Sequence, residues 1–297
     1  MKEIELDLGA FFQNALYELD KLFPSYKSVC ENYILQRNAK LVTAPKECLI
    51  PAIEIQKAIF AELFKEDVLP LAAMKIIPQA VALGNWRYVQ SIYTFDSMLY
   101  QTLIQQPLKA IPSELLRKLP EPCLFIRTPD NLFTGLGFFA HFDVKGDEDL
   151  YLTLTFQTDP ISVISLPLKN SLAKDVLIAI LSECRKTLDK ATLSYFTKKL
   201  NGALQLLLHL CSENVVYNGN FPRQAQNVQE ARDVRYFRVG NPGQKENGQS
   251  ERSMKPHQRK GHLHTYWIGS GDKKKPVQKW VDSTFIHPEK GQDHELH

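Results

Sequence analysis

At 297 residues, with 44% hydrophobic and 23% charged side chains, the chain carries enough apolar material for one large globular unit or two ordinary ones. Five cysteines, odd in number and with no Cys-x-x-Cys pair, argue against a disulfide framework and a zinc ribbon, and no apolar stretch approaches the ~20 residues of a membrane span. The net charge of +3 is unevenly spread: residues 1–250 balance 27 basic against 27 acidic side chains, residues 251–280 hold eight against two, and residues 281–297 one against four.

The opening MKEIELDLG has no apolar core of the secretory kind. With Cys30, Cys48, Cys123, Cys184 and Cys211 read as reduced thiols, a cytoplasmic protein is expected. Leu8, Phe11, Phe12, Ala15, Leu16, Leu19 and Leu22 recur at helical steps, and Pro24 closes that helix. A second helix is expected over 26–36. A third, over 50–65, has Pro51 in its first turn and Ile53, Ile59, Phe60, Leu63 and Phe64 on its apolar face. Apolar runs then flank Pro78. The stretch NWRYVQSIYTFDSMLYQTLI (85–104) reads as one more helix, with Trp86, Val89, Ile92, Tyr93 and Leu99 inward.

The period then changes. CLFIRT (123–128), FTGLGFFAHFDV (133–144), DLYLTLTFQT (149–158) and ISVISLPL (161–168) are rich in β-branched and aromatic residues and joined by short links, which predicts an antiparallel meander. Two helices follow, over 172–187 and 191–213. His141 and His209 fall on apolar elements and read as core histidines; Asp143, Asp147, Glu148 and Asp149 read as a turn. VRYFRV (234–239) is a short strand before a polar, Gly-rich loop.

The chain then reaches KPHQRKGHLHTYWIGSGDKKKPVQKW (255–280). Read as strand, turn and strand, its period of two places His262, His264, Tyr266 and Ile268 on one face, and Leu263, Thr265 and Trp267 on the other. Leu263, Trp267 and, from the return strand, Trp280 are the expected core contacts; Gly261, Gly269 and Gly271 allow turns or close approach. Four readings compete for the presenting face. Rings and cations can hold nucleic acid, with Arg252, Lys255, His257, Arg259, Lys260, Tyr266, Lys273, Lys274, Lys275 and Lys279 as the binding candidates. His262 and His264 can serve as acid and base of a metal-independent ribonuclease. His-x-His can ligate a metal if His257, Asp272, Asp282 or His287 completes the set. The plainest reading is structural, with the histidines tying the loop to the core. No phosphate-loop, Ser-His-Asp or HExxH pattern is present, and no cofactor or metal is assigned.

The ordered set Pro256, His257, Arg259, Gly261, His262, His264, Tyr266, Trp267, Gly269, Gly271 and Trp280 resembles the C-terminal signature of a type V-A anti-CRISPR family. Two positions depart from it: Lys260 stands for an arginine and Leu263 for a tryptophan. Upstream, LGNWRYVQSIYTFD, LPEPCLFI and LLLHLCSENVVYNG resemble family segments, so the likeness runs over roughly 80–297. The resemblance implies a protein of mobile elements that suppresses the type V-A effector nuclease during its biogenesis. It implies recognition of the effector's N-terminal polypeptide as it is made, with loss of the message, and contact with ribosome or mRNA. It supplies no catalytic residue. The alternative is an RNA-binding or RNA-cleaving protein using the hairpin.

The expected architecture is α+β: a helical region over 1–118, an antiparallel meander with helices packed on one face over 119–215, and a loop-rich basic region with a β-hairpin over 216–297.

Overall fold

The computed structural model describes residues 7–64, 70–108, 112–129, 131–133, 136–145, 149–156, 163–168, 173–185, 188–218, 228–240, 257–259, 261–270, 274–282 and 284–286. Four helices come first: α1 (Leu8–Leu22), α2 (Pro24–Asn38), α3 (Ala52–Leu63) and α4 (Pro70–Trp86). The Asp7 carboxylate caps α1 by accepting from the Gly9 and Ala10 amides, and Pro24 opens α2 at a position where its missing N–H is not needed. Of the expected apolar faces, Leu8, Phe12, Leu16, Ile59 and Leu63 are buried, whereas Phe11, Leu22, Ile53, Phe60 and Phe64 are exposed. Pro78 lies inside α4 rather than between two elements, flanked by buried Ile77, Ala80 and Val81.

The expected helix over 85–104 is instead three pieces. α4 ends at Trp86, strand β1 spans Ser91–Phe95, and α5 runs Ser97–Ile104, capped by Asp96. Gln90 takes a positive φ of 49° at the turn. Trp86, Val89, Ile92, Tyr93 and Leu99 are all buried, as expected. A central strand covered on both faces is apolar at consecutive positions, so its spacing does not separate it from a helix.

After a 3-10 turn (Ser113–Lys118) come β2 (Cys123–Arg127), β3 (Gly137–Lys145), β4 (Asp149–Phe156) and β5 (Val163–Pro167). They pair antiparallel in sequence, as the meander requires. Gly137 has φ 134°, and a Cβ there would lie 1.9 Å from the Ile126 carbonyl oxygen, so only glycine fits this strand entry. Helices α6 (Ala173–Cys184) and α7 (Lys190–Leu210) follow, then β6 (Val216–Asn218) and β7 (Arg235–Gly240). The sheet is larger than the meander: its order is β5-β4-β3-β2-β1-β7-β6, with β1 parallel to both β2 and β7.

Cross-strand register sorts the side chains onto two faces. Ile92, Phe125 and Phe139 form one row, packed against Phe12 and Trp86 beneath the N-terminal helices. Tyr93, Ile126, Phe138 and Phe156 form the next row, on the opposite face, in the core that includes α5 and α7. Each such side chain contributes ~1.5–3 kcal/mol by burial. α7 is buried on every side from Gly202 to Leu210, as befits a helix that sits under further structure. That structure is the C-terminal ribbon: β8 (His257–Arg259), β9 (His262–Ile268), β10 (Lys275–Val281) and β11 (Thr284–Ile286). The five cysteines are free, and all but Cys184 are buried.

Candidate functional site

The hairpin expected from period-two spacing is present. β9 covers His262–Ile268, and it pairs antiparallel with β10 from Val281↔His262 to Lys275↔Ile268. β8 and β11 form a second two-stranded antiparallel ladder in the same register, Arg259↔Thr284 and His257↔Ile286, and the two ladders are together called the ribbon. Gly269, at the turn, has φ 114°.

The base of the ribbon is clamped to the body. Gln106, just beyond α5, donates from Nε2 to the Gly261 carbonyl (3.0 Å) and accepts from the Leu263 amide (3.4 Å), standing in for a neighbouring strand. Asn214 does the same on the other side: Nδ2 donates to the Trp280 carbonyl (2.9 Å) and Oδ1 accepts from the Trp280 amide (2.8 Å). The Glu213 amide donates to the Gln278 carbonyl, and Lys118 Nζ reaches the Pro276 carbonyl. Trp280 is 4% exposed; its Nε1 donates to Asp282, and the buried His209 ring meets it edge-on at 5.4 Å. A Cβ on Gly261 would lie 2.5 Å from Trp280 Cζ2, so this glycine lets the backbone cross the indole. Leu263, also 4% exposed, completes the anchor. Sequence reading missed Gln106 and Asn214, because a lone amide beside a helix end carries no local pattern.

One expected core contact is not one. Trp267 is 56% exposed, although it shares a face with Leu263 and Thr265. Gln278, the cross-strand partner of Thr265, is 1% exposed and its carbonyl accepts from the Glu213 amide, so the anchoring face meets the body to that level and then runs past it. Trp267 therefore joins the outward group, with Tyr266 and Ile268 at 41% and 53% exposed.

On the presenting face the His262 and His264 ring centroids are 6.2 Å apart, and His264 and Tyr266 are 4.5 Å apart, a ladder of three rings. Lys274 and Lys275 are exposed beyond it. Lys279, opposite His264, reaches Glu213 at 3.4 Å, so its charge is shared with the body. His257 and Arg259 lie on β8; Arg252, Lys255, Lys260, Gly271, Lys273, Asp272 and His287 fall outside the described residues. Among the described residues no three His, Cys, Asp or Glu side chains converge as metal ligands. The arrangement offers rings for stacking and ammonium groups for phosphates, the two ingredients of sequence-tolerant single-strand binding.

His141 and His209 are core, as expected. Both are buried with neither ring nitrogen hydrogen-bonded, and burial pushes them down to about 4 and about 3. Asp143 is buried too; rather than belonging to a turn, it accepts from the Ala52 amide and opens α3.

A family model described as "AcrVA2-like: Anti-CRISPR type V subtype A2 family" matches residues 93–288. Among solved structures, "Crystal structure of AcrVA2" superposes with a TM-score of 0.64 at 19% identity, covering 92% of this chain and 98% of that one. No curated protein sequence matches the chain.

Proposed function

The chain belongs to the AcrVA2-like family of type V subtype A2 anti-CRISPR proteins, and from that premise we propose that it suppresses the type V-A effector nuclease during its biogenesis. In this reading the protein recognises the effector's N-terminal polypeptide as it is made, and the encoding message is lost. The observation that carries it is the extent of the family match: residues 93–288 take in the sheet, α7 and the clamped ribbon. In this reading the body takes the polypeptide and the ribbon meets an accompanying RNA or ribosome.

A reporter fused to the effector's first codons tests this. Synonymous recoding, which changes the RNA and keeps the peptide, should leave suppression intact. A compensated frameshift, which changes the peptide and nearly preserves the RNA, should abolish it. Suppression that follows the nucleotides would overturn polypeptide recognition.

A second reading, that the protein binds or cleaves RNA by itself, is favoured by the His262–His264–Tyr266 ladder beside exposed Trp267, Lys274 and Lys275. Replacing Arg259, Lys274 and Lys275 with Ala should weaken RNA binding and flatten its salt dependence. His262→Ala and His264→Ala should each abolish any cleavage. Unchanged binding and cleavage would leave the ribbon a structural element.

A further inference from the structure

A cleft of about 610 Å³ opens on the body, between the C-terminal end of α2, the linker into β2 and the start of β7. Its volume falls in the range of formed ligand sites. Half-buried Val42, Ala44 and Pro122 give it an apolar surface, with Leu49 and Leu119 buried behind them. Five basic side chains, Arg37, Lys40, Lys46, Arg117 and Arg235, stand around it against two carboxylates, Glu47 and Glu121.

These charges are not equivalent. Buried Glu121 is neutralised in place: it pairs with Arg235 and accepts from the Tyr93 hydroxyl at 3.0 Å. Arg37 is spent on the carbonyls of Pro45, Lys46 and Cys48, holding the loop that forms one wall. Lys40, Lys46 and Arg117 are exposed, and among the described residues none has a carboxylate within 4 Å. Arg117 donates to the Leu168 carbonyl at 3.1 Å, which leaves Lys40 and Lys46 as the uncommitted cations among the described residues. Tyr88, on the lining, buries its hydroxyl with no partner.

We propose that this cleft binds an extended polypeptide segment that carries apolar side chains and at least one carboxylate. Lys40 and Lys46 take the carboxylates, and half-buried Val42, Ala44 and Pro122 take the side chains between them. Nucleic acid fits less well, because the aromatic residues of the lining, Tyr88 and Phe142, are 8% and 2% exposed and offer no open ring for stacking. The inference rests on the polypeptide recognition proposed above, to which it gives a place and a charge preference.

The test uses the full chain, fluorescence anisotropy and four labelled probes: an acetylated and amidated peptide of alternating Glu and Leu, the same peptide with Gln for Glu, a peptide of the effector's N-terminus, and a single-stranded RNA. The Glu peptide should bind at least about tenfold more tightly than the Gln peptide, and the double variant Lys40→Glu/Lys46→Glu should erase the difference. Both lysines are exposed, so an unchanged melting temperature certifies the variant. Equal binding of the Glu and Gln peptides, or a preference that survives the double variant, overturns the proposal. So does single-stranded RNA that the double variant no longer binds but Lys274→Ala/Lys275→Ala still does. Effector peptide bound equally by wild type and double variant removes the cleft and keeps the polypeptide reading. Effector peptide unbound, with the Glu peptide bound through Lys40 and Lys46, keeps the cleft and removes that reading.

Discussion

Asn214→Ala tests whether the ribbon opens on its own hinge. The Asn214 side chain makes two hydrogen bonds to the Trp280 backbone, at 2.9 and 2.8 Å, and the substitution removes both. At roughly 1 kcal/mol net each, the loss is about 2 kcal/mol. If the ribbon separates from the body before the sheet unfolds, that difference appears in its own opening equilibrium, as an increase of about 30-fold. Hydrogen exchange followed by mass spectrometry reads this segment by segment. Amides of 262–268 and 275–281 should exchange about 30-fold faster, while β2, β3 and β4 keep their rates. Equal acceleration in the ribbon and the sheet would refute the hinge and make the ribbon part of the global folding unit. Unchanged rates everywhere would refute the clamp itself.

The two tryptophans of the ribbon should separate cleanly in urea denaturation: Trp280→Ala, at a 4% exposed site, should cost ~3–5 kcal/mol, and Trp267→Ala, at a 56% exposed site, under ~0.5 kcal/mol. His209 is held down to about 3, so between pH 6.5 and 3 the unfolded chain takes up a proton that the folded one refuses, and stability falls as pH falls through that window. His209→Leu should remove up to ~1.4 kcal/mol per pH unit from that slope; identical slopes in urea titrations at pH 4 to 7 would contradict the assignment. Arg87, 1% exposed, pairs with Asp20 and Glu230 and lies 5.5 Å from the Tyr26 ring. Arg87→Met should lose about 3 kcal/mol in equilibrium unfolding, the low end for a broken buried pair because both carboxylates keep contact with water.

The helices α1 and α3 were legible from their spacing, although Phe11, Leu22, Ile53, Phe60 and Phe64 of the expected apolar faces are exposed. The hairpin follows its period of two, whereas β2 and β3, buried on both faces, were legible from β-branched and aromatic content between short turn-like links rather than from alternation. β1 was not, since Ile92 and Tyr93 are buried on opposite faces and the alternation that would mark a strand is absent. Nor could the sequence place β1 beside β7, a parallel pairing between residues more than a hundred positions apart. In the ribbon, spacing assigned Trp267 correctly to the face of Leu263, but the point at which that face leaves the body depends on where α7 and Asn214 stop. The cleft left no sequence signal at all. Its cations come from a helix end, a loop, a 3-10 turn and a strand start, each unremarkable alone.

The residues that carry the family likeness divide by what they touch. Trp86, Arg87, Cys123, His209, Cys211 and Trp280 are buried, and Gly261 is confined by the Trp280 ring. Each is explained by packing: Trp86 donates to the Ser91 carbonyl where the chain turns into β1, and His209 and Gly261 meet Trp280 from either side. Such residues specify how the ribbon is fastened to α7, and they leave open what it holds. His264, Tyr266 and Trp267 are different, because no packing requirement explains large rings turned to solvent on a clamped strand. In the RNA reading proposed above, rings on a clamped strand would lose little conformational freedom on binding and would meet a partner preorganised. Among the described residues, burial thus divides the motif into side chains that fasten it to the body and His264, Tyr266, Trp267, Lys274 and Lys275, which stay exposed, the first two on one face of the strand and Trp267 on the other.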